Sequence, residues 1–404
     1  MNGENIICFA KDWFEHPTSN NHVMMALAKR NRVLWINSLS TRTPKLGSKR
    51  DIGKIFKKLA RFFKGPQRVS ENLWVYTPIV LPFPHSRFAA AINERLLKMT
   101  LRVLRRRLGM KEFQLWTFLP STSPYVGKMG ESVSIYYCVD DWSKFAYLDR
   151  RKTEEAEQKL CRAVDVVFGV GQSLVEQRLA WNPETHLARH GVDHELFSRA
   201  LDEKTEIPAE IGSLPKPVIG MYGTLESWID LQLISYLAER HPDWSIVLIG
   251  KKLADLSIIQ KHPNVHIIGS QPHDTLPNFC KGFSVGIIPY VIDARLKTVN
   301  PIKLREYLSA GLPVVSTDLP EVRVYCQYCE IAGDFAAFEA AIEKALATDS
   351  AVLHQQRSHA MRGETWERKV AAVCEQVMRV KQNKTRMIRA HSEGPCKKVD
   401  VTYA

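Results

Sequence analysis

Short runs of apolar, β-prone residues recur along this chain, and segments with helical periodicity separate them. In the second half each strand-to-helix step takes about 25 residues, which is the length of a right-handed βαβ crossover. Parallel strands need such crossovers, and the helices then cover both faces of the sheet. The alternation predicts an α/β protein with doubly wound parallel sheets.

The predicted strands fall into two series. Those of the first half are Asn5–Ala10, Val33–Ser38, Leu73–Val80, Phe113–Pro120, Ser132–Asp140 and Val164–Gly171, followed by an extended piece at Thr185–Asp193. Those of the second half are Val218–Thr224, Trp244–Gly250, Val265–Ser270, Phe283–Tyr290, Pro313–Thr317 and Glu330–Ala332. The polar, proline-bearing stretch between them predicts a linker.

The length of 404 residues fits two domains at roughly 100–200 residues per domain. We expect a first domain over 1–200, a linker over 201–217 and a second domain over 218–364. An amphipathic helix over 365–382 can cross back to the first domain, and a flexible basic tail follows over 383–404.

Composition excludes several classes of protein. Apolar residues make up 45% of the chain and charged residues 25%, as in ordinary globular proteins. The longest nearly uncharged apolar stretch, 282–292, is far shorter than the ~20 residues that span a bilayer. We expect no secretory signal at the N-terminus, and the eight irregularly spaced cysteines indicate free thiols in a reducing cytoplasm.

The net charge of +13 is concentrated in two windows. Residues 42–68 carry ten basic side chains and one acid, and residues 95–111 carry seven basic side chains and no acid. Apolar residues recur every three or four positions within 51–64, with lysines and arginines between them, which predicts a basic amphipathic helix. A leucine stripe repeats this pattern within 95–111. Both segments are expected to dock on an anionic membrane surface, although two helices packed on the first domain with solvated cations would show the same pattern.

The most specific segment runs from Asn300 to Ser316, with the sequence NPIKLREYLSAGLPVVS. It predicts a helix with Pro301 in its first turn and Gly311 at its C-terminal cap, followed at once by a strand. The unpaired backbone N–H groups of the first turn form an anion site that lies next to Asn300, Pro301 and Ile302, and Lys303 adds a positive charge. Glu306, one turn later, could accept hydrogen bonds from the two hydroxyl groups of a ribose diol.

This segment resembles the donor-nucleotide helix of the GT-B glycosyltransferases, especially family 4, also called group 1. The resemblance spans about Asn5 to Val380. It implies two Rossmann-like domains that face each other across a cleft, with a nucleotide sugar on the second and the acceptor on the first. The chain is also similar to the membrane-associated glucuronosyltransferases of xanthan assembly, which invert configuration.

Other segments resemble the same family in the expected order. The turn that includes Gly223 and Thr224 resembles the one that closes on the donor phosphates, and the strand and turn ending at Gln271 resemble those that hold the base. Residues 189–197 resemble the element that precedes the interdomain linker. Lys251 follows a second-domain strand and could reach the phosphates, although a solvated lysine is an equal alternative.

The chain also departs from the family pattern. The retaining enzymes have a glutamate eight positions before the one that corresponds to Glu306, and this chain has Thr298 there. His190 stands where the family usually has Asn, and no Lys-Gly pair follows Gly223. Retention of configuration is therefore not implied.

Inversion requires a general base that takes the proton of the acceptor hydroxyl. The best candidates are the adjacent carboxylates of Asp141 and Asp140, at the carboxyl end of a first-domain strand, where doubly wound sheets keep their sites. Asp141 is the first choice, and an acid pair that only caps a loop is the alternative. Trp13, Asn21 and His22 are candidate acceptor contacts, with core packing and helix capping as the alternatives.

Together these features predict a glycosyltransferase that moves a sugar from a nucleotide diphosphate, with UDP-sugars favoured, to a glycan or lipid-linked acceptor. We expect it at the cytoplasmic membrane face, in polysaccharide or glycolipid biosynthesis, with no metal and no other cofactor. A catalytically silent GT-B binding protein is the main alternative. A nucleic-acid-binding protein is less favoured, because the chain has no RNA-binding or helix-turn-helix signature.

Overall fold

The computed structural model describes residues 1–15, 18–39, 49–83, 86–145, 147–293 and 296–392. The chain forms two compact units. Of the described residues, those within 1–168, 178–186 and 370–392 form the first unit, and those within 169–177 and 187–369 form the second. Each unit is built around one largely parallel sheet, as the alternation of strands and helices predicts.

The first sheet has eight strands in the order β3-β4-β2-β1-β5-β6-β7-β8. Its strands are β1 (Asn5–Phe9), β2 (Arg32–Ile36), β3 (Gln67–Ser70), β4 (Leu73–Tyr76), β5 (Gln114–Thr117), β6 (Val133–Cys138), β7 (Val166–Gly169) and β8 (Thr185–Leu187). β1 pairs in parallel with both β2 and β5, so it lies near the middle of the sheet. Its residues Ile6 to Phe9 are fully buried, as expected for a strand covered on both faces.

The helices of this part of the chain connect the strands. They are α1 (Ser19–Ala28), α2 (Lys49–Phe63), α3 (Arg87–Arg107), α4 (Arg150–Ala163) and α5 (Gln172–Leu179). Short 3-10 turns lie at Pro120–Thr122 and Trp142–Lys144. The side chains of Ser86 and Asp149 accept hydrogen bonds from the first turns of α3 and α4, which explains where these helices begin.

The second sheet has six strands in the order β11-β10-β9-β12-β13-β14. They are β9 (Val218–Tyr222), β10 (Ser245–Ile249), β11 (Val265–Ile268), β12 (Val285–Ile288), β13 (Val314–Thr317) and β14 (Glu330–Ala332). The order reverses direction between β9 and β12, which lie side by side. The carboxyl ends of neighbouring strands at such a reversal form the usual ligand crevice of an α/β sheet.

The helices of the second half are α6 (His194–Phe197), α7 (Ala209–Gly212), α8 (Leu231–Arg240), α9 (Ser257–Gln260), α10 (Leu276–Gly282), α11 (Ile302–Ser309), α12 (Pro320–Arg323), α13 (Phe335–Thr348), α14 (Ala351–Met361) and α15 (Trp366–Ser392). Short 3-10 turns lie at Ser198–Leu201, His273–Thr275 and Leu296–Thr298. The core of this unit consists of apolar side chains from the central strands and the inner faces of α8, α11 and α13.

The structure corrects three expectations about organisation. Residues 187–200, expected in the first domain, belong to the second unit, where Asp193 caps α6 and Phe197 is fully buried in its core. Part of the expected linker is helical, at α7. α15 continues to Ser392 instead of ending near 382, and ion pairs of Lys381 with Glu4 and of Lys384 with Asp165 hold this extension. Residues 393–404 of the expected tail lie outside the described part of the chain.

The expectation that the leucine stripe of α3 faces a membrane is also corrected. Leu97, Leu101 and Leu104 are buried in the first unit, so the alternative of a helix packed on the domain holds for this face. Within the described residues, no helix has both the length and the apolar character that crossing a bilayer requires.

Candidate active site

The start of α11 lies next to the turn that follows β9. Pro301 is the N-cap residue of α11, one position earlier than expected, and Ile302 is the first helical residue. The Lys303 side chain extends over the ring of Tyr290, with Nζ 5.1 Å from the ring centroid. A Cβ atom added to Gly223 would lie only 2.8 Å from the same Nζ. The lysine amine is therefore held against the Gly223 backbone, as the predicted phosphate site requires.

Two glycines allow the turns after β9 and β10 to meet. Gly223 has a φ of +126°, and Gly250 has a φ of +153°. A Cβ on Gly250 would lie 1.8 Å from the carbonyl oxygen of Gly223, which no side chain could tolerate. Next to this contact the backbone N–H of Leu225 donates to the carbonyl of Lys251 at 2.9 Å. The Lys251 side chain is exposed, and Thr224 is half-buried beside it.

Glu306 is buried, and both of its carboxylate oxygens have protein partners. The Tyr222 hydroxyl donates to Oε2 at 2.7 Å, and Nε2 of His273 lies 3.1 Å from Oε1. Burial alone would lower the pKa of His273, but its hydrogen bond and ion pair with Glu306 outweigh burial and raise the pKa above 6.5. Each oxygen keeps a second lone pair that could accept from a diol.

His273 is a site residue that the sequence analysis missed. It begins the 3-10 turn after β11, two residues beyond the predicted base-binding position Gln271, which is half-buried in the segment between β11 and that turn. Its ring also packs edge-on against Phe197, with the centroids 5.4 Å apart. The only signal in the sequence was its position just after a segment with a family resemblance.

Asn300, expected as a donor contact, instead ties two backbone segments together. Its amide donates to the carbonyl oxygen of Val170 at 2.6 Å and lies 3.4 Å from Glu321, and its oxygen accepts from Arg305 at 2.8 Å. Glu321 also accepts from the backbone N–H of Gln172 at 2.7 Å. The side chain of Asn300 therefore positions the start of α11, and the expectation that it contacts the donor is corrected.

In the first unit, the two candidate bases after β6 have different surroundings. Asp141 accepts a hydrogen bond from Ser143 at 2.7 Å and pairs with Lys144 at 3.1 Å. Burial alone would raise the pKa of Asp141, but these partners lower it below its ordinary value. For Asp140, burial outweighs the attraction of Lys11 and raises the pKa to about 6, and the charge of Asp141 adds to this effect.

The two candidate bases therefore differ in basicity, with the higher pKa at Asp140 and the lower one at Asp141. A carboxylate with a pKa near the working pH is suited to accept a proton and later release it. The sequence could not rank the two acids, since the difference depends on the partners that the turn at Trp142–Lys144 gives to Asp141.

Trp13 follows β1, and Asn21 and His22 lie in the first turn of α1. Their side chains differ in how free they are to contact an acceptor. The Trp13 ring packs edge-on against Trp35 at 4.9 Å and is half-buried, as the packing alternative predicts. The oxygen of Asn21 accepts from the backbone and hydroxyl of Thr18, forming the cap of α1. Asn21 is thus corrected to a capping residue, and His22 is half-buried beside it.

Asn20 is a neighbouring polar residue that the sequence analysis did not single out. Its side chain is 1% exposed, and within the described residues its Nδ2 has no hydrogen-bond partner. A buried amide without a partner carries a desolvation cost of about 1–3 kcal/mol. An amide in this state is a further candidate for an acceptor contact beside α1.

A buried ion pair supports the strand end that carries Asp140. Glu157 accepts from Arg178 at 2.8 Å and from the Tyr136 hydroxyl at 2.7 Å, and all three side chains are buried. The charge of Arg178 also contributes to the lowered pKa of Asp141. Removing one member of such a buried pair typically costs 3–5 kcal/mol, so this cluster fixes the end of β6.

The α2 surface retains the expected amphipathic character where its side chains are described. Phe56 is 65% exposed and Phe63 is 81% exposed, with exposed Lys57 beside them. Lys58 instead donates to the carbonyl of Ser38 at 2.7 Å and so anchors the helix. Large apolar side chains next to cations are typical of a helix that lies in a membrane interface.

Comparison with known proteins gives concordant results. Residues 212–348 match the family described as Glycosyl transferases group 1. A Bacillus subtilis (strain 168) protein, assigned by its name to teichuronic acid biosynthesis as the glycosyltransferase TuaH, is 27% identical over 255 residues. The alignment covers 57% of this chain and 63% of that relative.

Two solved structures resemble almost the whole chain. Sucrose-phosphate synthase from Thermosynechococcus elongatus aligns with a TM-score of 0.66 and 12% identity, over 96% of this chain and 100% of its own. An E. coli structure described as trehalose-6-phosphate bound with UDP-2-fluoro glucose aligns with a TM-score of 0.65 and 10% identity, over 94% and 99%. At this identity the likeness shows the fold, which is GT-B, and confirms the expected fold class.

Proposed function

We propose that this protein is a glycosyltransferase that uses a nucleotide sugar, because residues 212–348 match the family described as Glycosyl transferases group 1 and the chain has the GT-B fold. The similarity to TuaH supports an activity in polysaccharide biosynthesis. A uridine nucleotide is the favoured donor, because the similar E. coli structure is described with a UDP-sugar analogue.

The observation that carries this proposal is the position of Lys303. Its amine is held between the Tyr290 ring and the Gly223 backbone, at the start of α11. The first-turn N–H groups of α11 and the ammonium together favour a dianionic diphosphate. We therefore assign the diphosphate of the donor to this place, with Thr224 and Lys251 on the neighbouring turns as further contacts.

Glu306 is proposed to accept from the ribose hydroxyls of the bound nucleotide. Tyr222 and His273 hold its carboxylate in one orientation, so little side-chain entropy is lost when the sugar binds. The base would then lie near the turn that contains Gln271, whose backbone groups can pair with it.

The proposed reaction is a displacement at the anomeric carbon of the donor sugar. The acceptor hydroxyl gives its proton to a carboxylate as its oxygen bonds to that carbon, and the bond to the diphosphate oxygen breaks. The electron pair of that bond leaves with the diphosphate, whose charge Lys303 and the α11 start stabilise. We expect no metal to be needed, because these groups already supply the positive charge.

Asp140 is proposed as the carboxylate that takes this proton. Its pKa of about 6 leaves it ionised at neutral pH and still basic enough to accept a proton in the transition state. Asn20 and Trp13, in the same unit, are proposed to contact the acceptor, a glycan or a lipid-linked sugar.

We further propose that α2 docks on the cytoplasmic face of the cell membrane. The exposed Phe56 and Phe63 can enter the membrane interface while the lysines contact anionic headgroups. Each lysine near the surface contributes about 1 kcal/mol to membrane binding. A lipid-linked acceptor would then be presented at the surface where the enzyme is bound.

The function is tested by incubating the protein with a panel of UDP- and GDP-sugars in the presence of anionic vesicles that contain membrane lipid extract. Release of nucleoside diphosphate that depends on the extract, and that continues in the presence of a chelator, supports transfer. Binding of a nucleotide sugar without any release would instead favour the silent binding protein, which the Thr298 substitution makes a specific alternative.

A further inference from the structure

A basic cavity lies in the first unit at the amino ends of four neighbouring strands. Its volume is about 470 Å³, and its walls are the segments that lead into β1, β2, β4 and β5. These strands are adjacent in the sheet order β4-β2-β1-β5. The cavity is therefore at the opposite end of this sheet from Asp140, which follows the carboxyl end of β6.

The cationic side chains that line this cavity are Arg30, Arg32 and Lys111. A second cavity of about 380 Å³ adjoins it through Gly109 and Lys111, and its walls add Arg102, Arg105 and Arg106. Neither cavity has a carboxylate among the described residues that line it. Six cations around adjoining cavities produce a strong local positive potential that favours a multiply charged anion.

Two acidic residues that neighbour this lining in the sequence pair with a lysine of α15. Glu4 and Glu112 share Lys381, at 2.9 Å and 3.0 Å from its Nζ. In contrast, no ion pair within the described ranges involves Arg30, Arg32, Arg102, Arg106 or Lys111. These five cations are therefore without an ion-pair partner among the described residues.

Two of the arginines are held in place by neutral partners. Arg32 donates to the carbonyl oxygen of Leu108 at 3.4 Å, and a Cβ added to Gly109 would lie 3.3 Å from its Nη1. Arg105 donates to the carbonyl oxygens of Met110 and Lys111, and its guanidinium lies 4.3 Å from the centre of the Phe113 ring. These contacts orient the guanidinium groups without consuming their charge.

The lining also includes uncharged residues. Asn5, Asn31 and Asn72 lie in the wall, where the amides of Asn5 and Asn31 donate to the carbonyl oxygens of Glu112 and Leu27 at 2.7 Å and 2.9 Å. Gly3 and Gly109 also line the cavity, both at positive φ. Several arginine guanidinium groups in one cavity match the tetrahedral oxygens of a phosphate better than a surface of lysines does. The volume is large enough for two linked phosphates or for a phosphorylated headgroup.

We propose that this cavity binds a phosphate-bearing ligand, at a site distinct from the donor site of the second unit. Its ligand is either a free phosphate compound or the phosphate of an anionic lipid headgroup, which present the same chemistry to the arginines. The proposal does not depend on glycosyl transfer and is measured without it.

The test measures acetylation of Lys111 by mass spectrometry, at constant ionic strength, with inorganic diphosphate as the probe. Lys152, an exposed lysine of α4, is the internal reference. We expect diphosphate to slow acetylation of Lys111 several-fold and to leave Lys152 unchanged. A second arm uses phosphatidylglycerol vesicles, with phosphatidylcholine vesicles as the neutral comparison.

Protection by free diphosphate supports a soluble ligand, and protection by the anionic vesicles alone supports the headgroup. In either arm, the ligand concentration that half-protects Lys111 should be at least tenfold higher for Arg32→Gln and for Arg102→Gln than for the wild type, because charge-assisted contacts are lost. Arg151→Gln, on the exposed face of α4, is the matched control and should have no effect. Arg102 is exposed on α3, so its variant carries the test if Arg32→Gln does not fold.

Protection of Lys111 that persists in both variants, or its absence in both arms, overturns the proposal. Because the readout is local to Lys111, either result leaves the proposed transferase activity untouched.

Discussion

Lys144 holds Asp141, with its Nζ 3.1 Å from Oδ2 of the carboxylate. Ser143 donates to the other oxygen at 2.7 Å, so both oxygens of Asp141 are engaged. The preceding residue, Asp140, has its pKa raised to about 6 by burial. Two adjacent acids at one strand end therefore have different surroundings, and the proposed base is Asp140.

These surroundings predict different effects for two conservative substitutions. Asp140→Asn keeps the size of the side chain but cannot accept a proton, and should lower kcat by about 10²–10⁴-fold with donor affinity nearly unchanged. Asp141→Asn should lower kcat less and should instead reduce the free energy of unfolding, by on the order of 1 kcal/mol, because the pair with Lys144 is lost. Steady-state kinetics and chemical denaturation of both variants measure this, and the reverse order of kcat losses would contradict it.

The pH dependence of the reaction follows from the same carboxylate. Protonated Asp140 cannot act as a base, so kcat/KM should fall as the pH drops through about 6, by about tenfold per pH unit at lower pH. The fall should be absent from the residual activity of Asp140→Asn. A wild-type profile that is flat from pH 5 to 7 would exclude this base.

Most of the architecture could be predicted from the sequence, because parallel strands that are buried on both faces consist of nearly continuous apolar residues. β3 was missed since its residues, Gln67–Ser70, are polar and form an exposed antiparallel edge. α14 was missed because its apolar residues lack a clear helical period. Both elements are held mainly by contacts that depend on the assembled unit.

The candidate site was only partly predictable, for a related reason. The motif around Lys303 and Glu306 is local in sequence, and the structure brings it to the Gly223 turn as expected. The roles of Asn300 and Asn21 instead depend on backbone groups that fold against them, at Val170 and Thr18. The choice between several neighbouring polar residues therefore needed coordinates.

The Glu306–His273 pair predicts a measurable titration shift. Burial lowers the pKa of His273, and Glu306 contributes most to raising it. Glu306→Gln removes that negative charge and leaves only the smaller effects of Asp193 and Asp274 to oppose burial, so the pKa should fall relative to the wild-type protein. In the wild type the folded state has a higher pKa for His273 than the unfolded state, whose pKa is about 6.5. The pair therefore contributes its full stabilisation below pH 6.5, and this contribution is lost as the pH rises through the pKa of His273 in the folded state. NMR titration of the His273 ring tests the shift, and an unchanged pKa in the variant would contradict the pairing.

Membrane docking predicts that the exposed phenylalanines of α2 control vesicle binding. Replacing both Phe56 and Phe63 with Ser should lower partitioning to anionic vesicles about tenfold or more, because each buried ring contributes roughly 1.5–3 kcal/mol. Val352→Ser, at an exposed apolar residue of the second unit, is the matched control. Co-sedimentation measures the partitioning, and equal binding of all three proteins would rule out α2 as the docking surface.

The most direct test of the account is the affinity for UDP measured by isothermal titration calorimetry. If the diphosphate lies at the start of α11, Lys303→Ala should weaken UDP binding by roughly 1.5–3 kcal/mol, or about 10–150-fold. Lys344→Ala, which removes an exposed lysine of the same unit, should leave the affinity unchanged. UDP affinity that is the same in wild type and Lys303→Ala, or no UDP binding by the wild-type protein, would contradict the proposed donor site.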